Sequence, residues 1–153
     1  VAFEDIRPAR FDPHHVAEFV ARVAVRLDAQ HFKTDDECWE AARKAAQWLP
    51  LATCGDGTGC HPCTFVKMEV TKAADTDDGK PVLCVGVKLR QIVEVGDEDE
   101  ARRQVVEGMA RMKDGVVHSR QTPSARLWMP HAEIVEVSFT REEKIKLQRL
   151  EPL

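Results

Sequence analysis

The sequence predicts an α+β domain. Stretches of apolar–polar alternation, two segments with helical spacing and a length that suits one core predict it. The chain has 153 residues, 43% of them hydrophobic and 31% charged, the balance of an ordinary soluble globular domain. A chain this long buries roughly 70% of its unfolded surface and needs no covalent staples. A net charge of -4 and a pI near 5.9 argue against a nucleic-acid partner. No apolar run approaches the roughly 18 residues of a membrane span. There is no internal repeat. Five cysteines are present, and an odd number in a chain of this size does not read as a disulfide framework.

Residues 1–18 contain Pro8 and Pro13 with little periodicity and read as an N-terminal arm. From Phe19 the pattern changes. Phe19, Ala21, Val23, Val25 and Leu27 alternate with Val20, Arg22, Ala24 and Arg26, as in a half-buried strand. Asp28-Ala29-Gln30 suits a turn and 31–33 a short returning strand. Thr34-x-x-Glu37 fits a capping box, in which hydroxyl and carboxylate satisfy free backbone N–H groups. Asp35, Asp36 and Glu37 suit the positive end of the helix dipole. Cys38, Ala41, Ala42, Ala45 and Trp48 give that helix one packing face, and Leu49-Pro50 ends it.

A loop rich in Gly and Cys occupies 51–63. Thr64 to Thr71 reads as a strand, 72–80 as a solvated turn, and Pro81 to Leu89 as a strongly apolar strand that 91–95 extends or pairs back on. A second helix is expected over about 97–113, its apolar face Ala101, Val105, Met109 and Met112, with Gly115 as its stop. A last strand is expected at Ile134 to Phe139 and a short charged helix at about 141–150. The domain thus covers 19–95, and 96–153 is a C-terminal extension of helix, strand and short helix.

The chemistry concentrates in Cys54-Gly55-Asp56-Gly57-Thr58-Gly59-Cys60-His61-Pro62-Cys63. With Cys84 the spacing is C-x5-C-x2-C-x20-C. Four thiolates hold either an iron–sulfur cluster or a zinc ion. Zinc ribbons use two short C-x2–4-C knuckles, whereas a [2Fe–2S] site takes three thiolates from one wrapping loop and a fourth from elsewhere. Only one short pair is present here. The glycines let such a loop turn tightly and bring N–H groups to the sulfurs. Cys84 points away from the face of Leu83, Val85, Val87 and Leu89. His61 is a substitute ligand for a thiolate. Cys38 reads as a helix-packing thiol, and a nucleophile reading of Cys38-Trp39 at a helix start, in the manner of papain-like proteases, is the outlier. His118 and His131 are isolated, and His14-His15 receives no role.

These residues carry a resemblance. Residues 19–89 resemble the [2Fe–2S] ferredoxin domain, a β-grasp fold, in the helix, the Leu49-Pro50 exit, the C…C-x2-C loop and the strand after it. The first cysteine gap is similar to that of adrenodoxin-type ferredoxins, and Cys54-Gly55-Asp56-Gly57…Cys60-His61-Pro62-Cys63-Thr64 is similar to the CGxG…CxxCT loop of molybdenum hydroxylases. Lys80-Pro81-Val82-Leu83-Cys84, the acids of 97–100 and Ala101-Arg102-Arg103…Gly108-Met109 resemble the N-terminal domain of the 75 kDa-type iron–sulfur subunit of respiratory complex I. Met129-Pro130-His131 and Leu150-Glu151-Pro152-Leu153 bear a looser likeness to the succinate dehydrogenase iron–sulfur subunit. No cysteine follows Cys84, so the [4Fe–4S] sites of the complex I family have no ligands here.

The resemblance implies a [2Fe–2S] cluster on Cys54, Cys60, Cys63 and Cys84, and one-electron transfer within a membrane-bound respiratory dehydrogenase. The chain would be a non-catalytic component docked to other subunits. The expected place is the matrix side of the mitochondrial inner membrane, the absent initiator methionine suiting a processed end, with the bacterial cytoplasm as the alternative. Two further readings stay open. One is a structural bridging subunit with no cluster or a single zinc or iron ion. The other is a zinc-stabilised binding module.

Overall fold

A computed structural model describes residues 14–28, 30–47, 49, 63–72, 81–121 and 123–150. Strand β1 runs His14–Leu27. Every odd-numbered side chain from His15 to Leu27 is buried and the even-numbered ones face outward, the period of a strand covered on one side. The sheet therefore begins inside the segment read as an arm. His15 and Ala17 continue the alternation, but neither is apolar and large enough to flag it.

The chain leaves β1 through a turn at 30–31, its His31 N–H donating to the Asp28 carbonyl at 3.0 Å, rather than through a second strand. Residues 31–33, expected to return as a strand, are turn and irregular. Helix α1, Asp35–Ala46, follows directly. The Thr34 hydroxyl accepts the Glu37 N–H at 3.2 Å. The Glu37 carboxylate accepts the Lys33 N–H at 2.8 Å, one residue earlier than in the standard box. Ala42, Ala45 and Ala46 are buried, so small side chains let the helix lie close on the sheet.

Strands β2, Cys63–Lys72, and β3, Val82–Val93, form an antiparallel pair with register from Cys63↔Gln91 to Lys72↔Leu83. Helix α2 spans Glu98–Gln121. It passes through Gly115, where the sequence suggested a stop. An interior glycine costs about 1 kcal/mol against alanine. Burying Val116, the next residue on the face of Ala101, Val105, Met109 and Met112, returns roughly 1.5–3 kcal/mol. A short helix α3, Pro123–Trp128, opens on proline, which fits the first helical position.

Strand β4, Ala132–Phe139, pairs with the second half of β1, and β5, Lys146–Leu150, with the first half. The expected charged helix at 141–150 is thus a single 3-10 turn, Glu142–Lys144, followed by β5. Its charged residues suit a helix in isolation, but the free edge of β1 and the burial of Ile145 decide for a strand. Between β4 and β5, Thr140 continues the ladder with its side chain. Its Oγ1 accepts the Val20 N–H at 2.8 Å and donates to the Val20 carbonyl at 2.9 Å. Arg102 of α2 donates to the carbonyls of Glu142 and Ile145, at 2.7 and 3.2 Å, and pins the detour.

The sheet order is β2-β3-β1-β4, with β5 also on β1, and every pairing is antiparallel. Both long helices contribute to one buried core with the covered face of the sheet. The α+β class is as expected. The connectivity, however, is the β-α-β-β-α-β split arrangement. Among the described residues only β1 precedes α1, without the hairpin that the expected β-grasp places there. The segment from 96 onward supplies α2, β4 and β5, which complete this sheet and its cover. Among the described residues no helix is long and apolar enough to cross a membrane.

Candidate functional site

The sequence places its chemistry in the cysteines. Cys54, Cys60 and His61 lie outside the described residues. Cys63 opens β2, half-buried, on the helix-covered face and directly across from Gln91. Cys84 lies on β3 between Ala24 and Thr71. It is half-buried on the uncovered face, as the alternation of its strand predicted. The Thr71 hydroxyl donates to its carbonyl at 3.3 Å.

These two thiols are not brought together. Gln91 and Cys84 are seven residues apart on β3, about 23 Å at the rise of a strand. They also project to opposite faces. Ligands of one small cluster or ion bond metal through sulfurs at about 2.3 Å each, so Cys63 and Cys84 do not fit a shared centre in this fold. A signal for this was present in the sequence. A hairpin through the expected turn at 72–80 already sets Cys63 far from the turn, near residue 90, and Cys84 close to it. Among the described residues, no three His, Cys, Asp or Glu side chains converge as a metal site.

Cys38 packs against the core from α1. Burial, and then the carboxylates of Asp35 and Glu37, push its thiol above the usual cysteine range. That is opposite to the activation a nucleophile at a helix start needs. His118 stands exposed on α2, 3.3 Å from the Asp114 carboxylate.

Two buried polar side chains escaped the sequence reading. His15 is buried, with Nδ1 2.8 Å from the Val95 carbonyl, so Nδ1 carries the proton. Gln91 is 3% exposed, and its Oε1 has no hydrogen-bond partner among the described residues. The two are diagonal neighbours on β1 and β3. Helix α2 crosses above with Gly108, where an added Cβ would meet Gln91 Oε1 at 3.4 Å. Both could have been found by extending the alternation of β1 to His15 and that of β3 to Gln91.

A histidine pair lies at the other end of the sheet. His131 precedes β4 with φ at 68°, a left-handed conformation that costs a non-glycine residue about 1–3 kcal/mol. The Asp28 N–H holds it through its carbonyl at 2.9 Å. Its ring stacks on His31 with centroids 3.7 Å apart and planes 13° from parallel. Its Nδ1 is 3.5 Å from the Asp28 carboxylate.

The uncovered face of the sheet is charged. Glu18 on β1 pairs with Arg90 at 2.7 Å and Lys88 at 3.4 Å, both on β3. The Arg90 guanidinium first, then Lys88, hold the Glu18 carboxyl below its usual range against a smaller opposing effect of burial. Val20 and Ile92 are exposed on the same face. No protein-family model and no curated protein matches the chain.

Proposed function

We propose that the chain is a metal-stabilised binding module whose centre is held by Cys54, Cys60, His61 and Cys63. Four donors within ten residues, three thiolates and one imidazole, satisfy the tetrahedral preference of zinc. The observation that carries this reading is the separation of Cys63 from Cys84 along β3. It leaves His61 as the nearest fourth donor in sequence. Binding of the ion would close the loop onto the start of β2 and fix the end of the sheet beside Gln91. The uncovered, charged face of the sheet is then the surface such a module offers to a partner.

The electron-transfer reading is the second. It keeps a [2Fe–2S] cluster in a subunit of a mitochondrial respiratory dehydrogenase, and the C-x5-C-x2-C spacing favours it. In that reading too, Cys84 gives way to His61 or to a ligand from a partner.

Metal and acid-labile sulfide analysis of the purified chain separates the two. The module reading expects a colourless protein with about one zinc per chain. Iron with equimolar sulfide and visible absorbance would replace it with the cluster. The Cys63→Ser variant should lose the metal and Cys84→Ser should keep it. Loss of metal in Cys84→Ser would overturn the ligand set in both readings.

A further inference from the structure

A cavity of about 700 Å³ opens between α1 and the segment that leads into β4. Its volume lies within the roughly 300–1,000 Å³ of sites for small molecules. Its inner wall is apolar, formed by Phe32, Ala41, Ala45 and Met129. Its outer wall carries the carboxylates of Asp36, Glu37 and Glu40, with the Lys44 ammonium one turn beyond. The rim is therefore net anionic.

The carboxylates differ in what already engages them. Glu37 is tied to the Lys33 N–H. Glu40 meets Arg43 only at 3.8 Å, a weak surface pair. Asp36 makes no ion pair among those found in the described residues. Asp36 and Glu40 are four residues apart, so they lie on one side of α1. At the end of the cavity, Phe32 meets His31 edge-on with ring centroids 5.1 Å apart, and His131 stacks on His31. Phe32 and His31, with planes 89° apart, give a preformed aromatic corner beside two available carboxylates.

We propose that this cavity binds a small organic cation with a planar apolar body, of the arylalkylamine class. The ring of the ligand packs on Phe32 and His31, and its ammonium sits between Asp36 and Glu40. The aromatic wall supplies contact area at little cost in side-chain freedom, and the carboxylates select for positive charge. The cavity lies far from Cys63, the described end of the cysteine loop. Ala132, in its lining, pairs with Leu27, whereas Cys63 lies level with Ala17. Ten residues of β1 separate the two levels, about 33 Å.

Titration of the full chain, followed by amide NMR, tests this with tryptamine and with indole-3-propionate, which has the same ring but a carboxylate. Tryptamine should give saturable shifts confined to residues near 31–45 and 129–132, with a Kd near or below about 1 mM. The carboxylate should give none. The exposed double substitution Asp36→Asn with Glu40→Gln should weaken tryptamine at least about fivefold while leaving the rest of the spectrum in place. Equal binding of the two probes, unsaturable shifts, or unchanged affinity in the double variant would each overturn the proposal.

Discussion

A glutamine lies where the alternation of β3 calls for an apolar side chain. Gln91 follows Leu83, Val85, Val87 and Leu89 on the covered face, and its Oε1 is buried without a partner among the described residues. A buried unpaired acceptor costs about 1–3 kcal/mol. Gln91→Leu should therefore raise stability by roughly 1 kcal/mol in urea unfolding, and a loss of stability would show that the amide has a partner. Glu18 behaves oppositely. Its folded pKa lies below the ordinary 4.5 because Arg90 and Lys88 favour the carboxylate. Its contribution is fully present above the ordinary value and is lost as pH falls through the folded one. For a pair this open to solvent it stays below about 1 kcal/mol. The stability gap between the native chain and Glu18→Gln should shrink on acidification below about pH 4.5, which urea midpoints at stepped pH measure. At this scale the sequence told which side of its strand Cys84 takes. It did not reveal that Glu18 meets Arg90, because that contact depends on which strands become neighbours.

At the scale of elements, legibility follows the strength of the local pattern. Strand β1 and helix α1 announced themselves through alternation and through Thr34 and Glu37. Residues 31–33 and 141–150 were misread because their local preferences are weak and tertiary pairing overrides them. In β5 only Leu147 and Leu150 are apolar, while Lys146, Gln148 and Arg149 would serve equally well on a helix. What commits the segment is Ile145, 4% exposed and part of the core. Ile145→Ala should cost about 2–4 kcal/mol. It should also speed amide hydrogen exchange in 146–150 more than in 132–139. Uniform acceleration would mean that β4 and β5 open as one unit.

Across the whole molecule, class was legible and connectivity was not. Five segments of alternation and two of helical spacing give α+β, but no local pattern says that β3 inserts between β1 and β2. The candidate metal site is decided more locally, because the hairpin of β2 and β3 alone sets Cys63 far from the turn and Cys84 close to it. The detour at 140–145 has a mechanical consequence. His14 and Leu150 are cross-strand partners, so chain arriving at residue 14 and chain leaving residue 150 share one corner of the sheet. A pull between those two points loads the rungs of β1 and β5 one after another, as in a zipper, instead of all together in shear. The bonds made by Thr140 and Arg102 stand next in line, where they act as a stop before β4 is reached.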